Sequence, residues 1–263
     1  MTKTVLLTTT LLVLAVTCRE IRTDAKSLEK LEQLLSSAEA QGLSGSVLLM
    51  EKDSMIYYRG LVLADQEDQV KNGIQTVYPF GSIVKDYTKA LIFQAVLAGQ
   101  LRMEQNLADF FADVPEDKAS ITVAQLVQHR AGLANYHDAG PSEIPADLHQ
   151  MSKAEALEII FTTSLKLVPG EDYRYSNSGY TLLALILEKT TGKTFESLCE
   201  EQIFRAANMD QTDFYSSTKW QTSDVAVGYG SHAYGRKNSP YYWPRNPMPI
   251  FGNGGIAGTL PDL

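Results

Sequence analysis

The stretch Phe80-Gly-Ser-Ile-Val-Lys85 constrains the fold and chemistry of this chain more than any other. It places a serine and a lysine three residues apart, directly before a run from Ile83 to Ala98 with helix-period apolar residues. Residues three apart on a helix share a face, so the Lys85 amine can reach the Ser82 hydroxyl. Burial favours a neutral lysine, and the positive end of a helix favours a developing alkoxide. The stretch indicates an activated serine nucleophile, or alternatively a serine N-cap beside a lysine that extends to solvent.

The Ser-x-x-Lys spacing occurs three times, and the surrounding sequence separates the three copies. Ser27 and Lys30 stand at the start of an exposed amphipathic segment, and Ser216 and Lys219 stand in a polar stretch. Only the copy at Ser82 follows a Phe-Gly turn and precedes a segment that is apolar on more than one side. We therefore predict the nucleophile at Ser82.

A second motif, Tyr175-Ser-Asn177, lies about ninety residues later in a Tyr- and Asn-rich turn. A tyrosine beside a lysine ammonium can carry a proton to and from a serine, and an asparagine amide can hold a substrate carbonyl. The alternative is a polar turn with packing tyrosines. Together the two motifs favour a serine nucleophile with a Lys/Tyr proton-handling system, which performs acyl transfer.

The two motifs resemble those of the serine β-lactamase and penicillin-binding-protein superfamily, in particular its class C and D-alanyl-D-alanine carboxypeptidase-like branch. The resemblance runs in order over roughly residues 28 to 263. The intervening segments that also fit are Ile121 to Leu133, Pro169-Gly170, Met209 to Thr212 and Gly254 to Asp262.

The resemblance implies a serine hydrolase that needs no cofactor and no metal. Ser82 would be the acylated nucleophile, Lys85 and Tyr175 its acid/base pair, and Asn177 a substrate-orienting residue. The substrate would be a D-Ala-D-Ala peptide, a β-lactam or an ester, and the sequence does not choose among them. The implied fold is α+β, with an antiparallel sheet, flanking helices and a helical lobe, which agrees with the order of elements along the chain.

The family carries a third motif, Lys-Thr-Gly or His-x-Gly, on a strand that follows the Gly254-Gly255 segment. This sequence shows no such motif, so we expect the C-terminal strands and helix of the fold to be missing and turnover to be low. The expected domain is a partial hydrolase domain over residues 25–263. The alternative function is an inactive fragment, or a non-catalytic protein that binds peptidoglycan-like ligands.

The N-terminus indicates export. Lys3 precedes a short apolar run from Val5 to Val16, and the polar residues after it complete the pattern of a signal peptide over residues 1–17. Cys18 stands where a bacterial lipoprotein carries its lipidated cysteine. Lipidation with membrane anchoring, and ordinary cleavage with release to the periplasm, both remain open.

Composition excludes several other functions. Acidic residues outnumber basic ones by 31 to 23, which argues against nucleic acid as a partner. The chain has two cysteines, and Cys199 lies in an apolar helical pattern that predicts a buried side chain rather than a nucleophile. The histidines show no metal-ligand spacing and are predicted to be hydrogen-bonded loop or surface residues: His129, His137, His149 and His232.

Periodicity and turn residues predict the local structure. We expect helices over residues 27–41, 83–98, 121–128, 152–162 and 180–190, with Gly192 as a C-cap of the last. A hairpin is expected from Gly45 to Arg59, with its turn at Asp53-Ser54. The segments 133–148 and 221–255 are predicted to be mostly loop.

Overall fold

A computed structural model describes residues 25–136, 151–229 and 238–263 of the chain. The chain divides at Gly42 into an N-terminal unit and a unit from Leu43 to Leu263. The described part of the first unit is helix α1, Ala25–Ala40, which confirms the predicted amphipathic helix. Within it Leu35 is buried, whereas Leu34 is largely exposed.

The second unit begins with a hairpin. Strand β1, Gly45–Glu51, pairs antiparallel with β2, Ser54–Leu61, in a register that sets Val47 opposite Arg59. The hairpin is confirmed, with its turn at Lys52-Asp53 and a second strand that starts one residue earlier and ends two residues later than predicted. Within the described residues these two strands form a sheet of their own.

The described residues form five further strands of two or three residues, which the sequence pattern did not indicate: β3, Leu63–Asp65; β4, Val70–Lys71; β5, Tyr78–Pro79; β6, Asp213–Phe214; and β7, Ile256–Gly258. Strands β3 and β4 pair with each other, and β7 lies between β5 and β6. The strands are antiparallel, as predicted, but in the described parts of the chain they are divided among three small sheets.

The pairing of β5 with β7 positions the functional site. The Phe80 amide continues this pairing by donating to the Ile256 carbonyl at 2.9 Å. Because β5 leads directly into Ser82, the pairing brings the segment that precedes β7 alongside the serine. Residues about 170 positions apart in sequence therefore meet at one place, as the bond from Lys85 to Asn253 also records.

The core forms around three helices: α2, Val84–Leu97; α4, Val123–Val127; and α6, Asn177–Thr191. Every residue of α6 from Ser178 to Leu187 is buried, so this helix runs through the interior rather than along the surface. Gly192 ends it in the left-handed conformation at φ +71°, which confirms the predicted C-cap.

Three other α-helices within the described residues extend the helical region that the sequence predicted: α3, Glu116–Ala119; α5, Lys153–Thr162; and α7, Phe195–Cys199. The chain continues from α7 into a π-helical turn, Glu200–Phe204. Cys199 is fully buried, and burial raises the pKa of its thiol. This confirms a packing role for Cys199, because a buried thiol that stays protonated is a poor nucleophile.

Candidate active site

Ser82 lies in the tight turn that begins helix α2. Gly81 takes φ +53°, a left-handed conformation that glycine adopts at little cost, and the 3-10 turn Gly81–Ile83 runs on into α2. Lys85 occupies the first turn of that helix and donates to the Ser82 Oγ at 3.0 Å. The side chains therefore meet as the three-residue spacing predicts.

Tyr175 completes the cluster from a distant part of the chain. Its Oη lies 2.7 Å from the Ser82 Oγ, and the Lys85 Nζ lies 4.8 Å from the centre of its ring. Tyr175 is held just before α6, whose N-cap Ser176 accepts a hydrogen bond from the Gly179 amide. Serine, lysine and tyrosine thus share one hydrogen-bonded cluster.

Exposure differs sharply within this cluster. Lys85 is 3% exposed, whereas Tyr175 is 40% exposed and Ser82 is also open to solvent. A molecule arriving from solvent can reach the serine oxygen, while the amine beneath it stays enclosed. This arrangement suits a nucleophile whose proton is handled from the protein side.

The Lys85 amine has a second partner that the sequence did not predict. It donates to the backbone carbonyl of Asn253 at 3.1 Å, and one turn later Thr88 donates to the Gly252 carbonyl at 2.6 Å. Asn253 is itself buried, and its amide nitrogen lies within hydrogen-bond distance of Thr181 Oγ1 at 3.2 Å. The loop that contains Gly252 and Asn253 is therefore attached to both α2 and α6, and it fixes the position of the Lys85 amine.

Gly252 is required where this loop crosses α6. It takes φ +73°, and a Cβ built there would lie 2.5 Å from the Ala184 Cβ and 2.7 Å from the Tyr180 carbonyl oxygen. Those atoms belong to a buried helix and cannot retreat, so a larger residue must push the loop outward. The Asn253 carbonyl would then move away from Lys85.

Gly252→Ala is accordingly expected to lower the free energy of unfolding by roughly 2–4 kcal/mol, from the clash and the left-handed backbone together. Gly192→Ala is the matched control, because Gly192 has φ +71° and nothing within 4 Å of an added Cβ. It should cost only about 1 kcal/mol. Denaturant unfolding of both variants tests this, and equal losses would show that the close approach at Gly252 is relieved at no cost.

Asn177 is the first residue of α6, two positions after Tyr175. Its backbone amide donates to the Asn135 Oδ1 at 2.8 Å, which ties the start of α6 to the segment that follows α4. Asn177 therefore follows Tyr175 closely in the chain and stands at a helix end that a hydrogen bond to Asn135 holds in place.

The two other Ser-x-x-Lys pairs are arranged differently. Ser27 and Lys30 are both exposed on α1. The Ser216 Oγ donates to the Trp243 carbonyl, and the Lys219 Nζ donates to the Thr212 carbonyl at 3.2 Å. At Ser82, by contrast, the lysine donates to the serine itself.

Comparison with known proteins agrees with this fold. Residues 29–263 match the family model described as Beta-lactamase. The chain belongs to the beta-lactamase family. The predicted resemblance and the β-lactamase/transpeptidase-like fold class are thereby confirmed.

Individual beta-lactamase-family relatives are distant in sequence. An Escherichia coli (strain K12) protein provisionally named a D-alanyl-D-alanine carboxypeptidase is 27% identical over 209 residues, 73% of this chain and 48% of that protein. Penicillin-binding protein 4* of Bacillus subtilis (strain 168) is 26% identical over 198 residues, 73% of this chain and 42% of that protein. The chain thus spans about half the length of these curated relatives.

The structural likeness is closer than the sequence likeness. The D-amino acid amidase of Ochrobactrum anthropi SV3, in its complex with D-phenylalanine, superposes with a TM-score of 0.74 at 20% identity. The superposition covers 90% of this chain and 69% of the amidase. Identity at this level supports the shared fold alone.

His129 is the residue at this beta-lactamase-family site that sequence reasoning did not connect with the cluster. It follows α4 in a loop, and its ring stacks on Tyr175 with centroids 4.7 Å apart. Its Nδ1 accepts a hydrogen bond from the Ser176 amide at 3.2 Å, so it is a hydrogen-bonded loop histidine, as predicted. The other three histidines lie outside the described residues. The sequence did contain one signal for such a role: His129 lies within Ile121 to Leu133, a segment that resembles the family.

Metal-binding groups and membrane-spanning helices are both absent from the described residues. Over residues 25–136, 151–229 and 238–263, no three His, Cys, Asp or Glu side chains are grouped to hold a metal ion. In the same ranges no helix has the length and apolar character needed to span a bilayer. The predicted signal peptide and Cys18 lie outside the described residues.

Proposed function

We propose that this chain carries a serine hydrolase site that acts on amide or ester carbonyls through an acyl-enzyme at Ser82. The observation that carries the proposal is the hydrogen-bonded cluster in which the Ser82 Oγ lies 2.7 Å from the Tyr175 Oη and 3.0 Å from the Lys85 Nζ. A serine with two proton-exchanging groups at hydrogen-bond distance meets the geometric requirement for nucleophilic catalysis.

In the proposed first step the Ser82 Oγ attacks the substrate carbonyl carbon and its proton passes to the Lys85/Tyr175 pair. The pair accepts that proton when it holds one proton fewer, as neutral lysine with phenol or as ammonium with phenolate. The carbon–leaving group bond then breaks, and the same proton moves to the leaving nitrogen or oxygen. Water hydrolyses the acyl-enzyme by the reverse path, which restores the serine and releases the acid.

The start of helix α2 supports the same step. Ser82 stands in the turn that leads into this fourteen-residue helix, so its oxygen lies near the positive end of the helix dipole. That field favours an oxygen on which negative charge develops, typically by a few tenths to about 1 kcal/mol. We assign Asn177 the role of orienting the substrate, from its place at the start of α6 beside Tyr175.

For the substrate we propose the amide class, which includes D-Ala-D-Ala peptides and β-lactams, with esters as simpler alternatives. The names of the relatives support this class: a carboxypeptidase, a penicillin-binding protein and a D-amino acid amidase. The experiment is hydrolysis of a D-Ala-D-Ala peptide, a chromogenic β-lactam and a p-nitrophenyl ester by the full chain and by Ser82→Ala. Turnover that depends on Ser82 supports the proposal, and turnover that survives in the variant contradicts it.

We further propose that residues 1–17 direct export and that the hydrolase domain covers residues 25–263. The apolar run after Lys3 supports this, and Cys18 leaves anchoring and release as the two outcomes. N-terminal sequencing of protein from fractionated cells tests it, with Cys18→Ser as control. An intact Met1 on cytoplasmic protein would contradict export, and membrane protein that stays bound in Cys18→Ser would contradict lipidation.

A further inference from the structure

We propose that His129 is the positioning residue for Tyr175, holding its ring and the backbone amides of Arg174 and Ser176 so that the phenol oxygen faces Ser82. This inference rests on the proposed function, because it assigns a role in the same proton path. It adds a fourth residue to that path, which acts through Tyr175 rather than on the substrate.

The first support is a pair of hydrogen bonds between His129 and the backbone on either side of Tyr175. The carbonyl of His129 accepts from the Arg174 amide at 2.8 Å, and its Nδ1 accepts from the Ser176 amide at 3.2 Å. One bonded amide belongs to the residue before Tyr175 and the other to the residue after it, so the backbone is tied to His129 on both sides of the tyrosine. An Nδ1 that accepts a hydrogen bond belongs to a neutral imidazole with its proton on Nε2.

The second support is the contact of the rings. The imidazole stacks on Tyr175 at 4.7 Å with 29° between the ring planes, and it contacts Tyr180 of α6 at 4.8 Å. Tyr173 meets it edge-on at 5.8 Å. Tyr180 is fully buried, so its contact restricts the movement of the imidazole. The imidazole in turn restricts the ring of Tyr175, which is 40% exposed.

The third support is the backbone conformation of His129, which has φ +56°. Only a few residue types other than glycine occupy this region readily, and histidine and asparagine are among them. The conformation turns the chain at the end of α4 so that carbonyl and ring both face residues 174–176. Of the residues that tolerate the angle, histidine adds a flat ring that can stack.

Burial and nearby positive charge keep the His129 imidazole neutral, so that its Nδ1 can accept a hydrogen bond. Burial, with the nearby ammonium groups of Lys85 and Lys89 on α2, lowers the pKa of His129 to about 4. The other titratable groups that face it are the phenols of Tyr173, Tyr175 and Tyr180. Protonation of His129 would remove the acceptor for the Ser176 amide and add a positive charge near the ammonium groups of Lys85 and Lys89.

Acid is expected to destabilise the folded chain through His129. The folded-state pKa of about 4 lies below the ordinary 6.5, so the unfolded chain binds more protons between these values. The contribution of neutral His129 is complete above about pH 6.5 and is lost as the pH falls towards 4. His129→Asn should therefore flatten the fall in unfolding free energy with acid across this window.

His129→Asn is the sharpest variant, because asparagine tolerates the left-handed backbone and offers an oxygen near the position of Nδ1 while it removes the ring. The experiment measures the maximal rate and half-saturating concentration for acylation by a fluorescent penicillin. It compares the unmodified chain, His129→Asn, Tyr175→Phe, the double variant and the control Gln128→Ala, which alters the exposed neighbour.

We expect His129→Asn to lower the maximal rate by about tenfold to a hundredfold while half-saturation stays unchanged, as misplacement of a catalytic group does. In the Tyr175→Phe background it should cause no further loss, because it acts through that phenol. Gln128→Ala should keep the original rate. An unchanged rate in His129→Asn, or a loss that is fully additive with Tyr175→Phe, overturns the inference.

A second measurement decides the inference even if the unmodified chain is not acylated, in which case the proposed function has failed separately. It is a crystal structure of His129→Asn at neutral pH. A Tyr175 phenol that has left hydrogen-bond distance of the Ser82 Oγ supports the positioning role. A phenol that stays near 2.7 Å from that oxygen overturns it.

Discussion

Replacing Ser82 with alanine is expected to abolish covalent labelling of the chain by a fluorescent penicillin or a fluorophosphonate. Both probes need an oxygen nucleophile whose proton can be removed, and the Ser82 Oγ is hydrogen-bonded to both Lys85 and Tyr175. Alanine removes that oxygen from an exposed turn, so we expect folding to be kept. Labelling is read by in-gel fluorescence, alongside a thermal melt.

The sequence supplies a matched control for this experiment. Ser27 belongs to another Ser-x-x-Lys pair with Lys30, and both side chains are exposed on α1. Ser27→Ala should label at the rate of the unmodified chain. Loss of labelling in Ser27→Ala with labelling retained in Ser82→Ala would refute the assignment.

The second large effect concerns the proton path. Lys85→Met and Tyr175→Phe are each expected to slow acylation by roughly 10²–10⁴-fold, the usual contribution of general acid–base catalysis. Methionine keeps the apolar stem of a side chain that is 3% exposed, and phenylalanine keeps the ring that stacks on His129. Each variant therefore removes the proton-exchanging atom while the packing stays largely intact.

The double variant tests whether these residues act as a unit. If one proton path serves the serine, Lys85→Met with Tyr175→Phe should be no slower than the slower single variant. Single-turnover labelling rates give the comparison directly. Losses that multiply would mean that the two residues contribute independently and that the shared path is incorrect.

The sequence predicted the contacts between residues that are close in the chain, and it missed the supporting contacts made by residues distant in the chain. The Ser82–Lys85 contact follows from helix geometry alone, since side chains three residues apart lie on one face. The hairpin of β1 and β2 and the cap at Gly192 were likewise predicted from turn chemistry. Each depends on residues that are neighbours in the chain.

The contacts that hold Lys85 and Tyr175 in place could not be derived in this way. The Asn253 carbonyl reaches Lys85 through a loop whose path depends on the pairing of β5 with β7, strands too short to show a period. A backbone carbonyl also carries no residue type that a pattern could reveal. The spacing of His129 from the other histidines indicates no metal site, and it carries no sign of the contacts that His129 makes with aromatic rings in the fold.

The slow turnover expected from the sequence stays a prediction, and acylation is the step that the observed site tests most directly. The cluster of Ser82, Lys85 and Tyr175 is formed within the described residues. Formation of the Oγ–carbonyl bond depends on this cluster, whereas steady-state hydrolysis also requires water to release the acyl group. Acylation is therefore a more sensitive test of the chemistry than steady-state hydrolysis.

The measurement that tests the central claim most directly is mass spectrometry of the full chain after prolonged incubation with benzylpenicillin. Opening of the β-lactam ring forms the Oγ–carbonyl bond and breaks the ring carbon–nitrogen bond, and the proton moves to the nitrogen, so no atoms leave. We predict an intact mass increased by one whole penicillin, with the adduct on the peptide that contains Ser82. No adduct, or an adduct on Ser27, Ser216 or Cys199, would contradict the account.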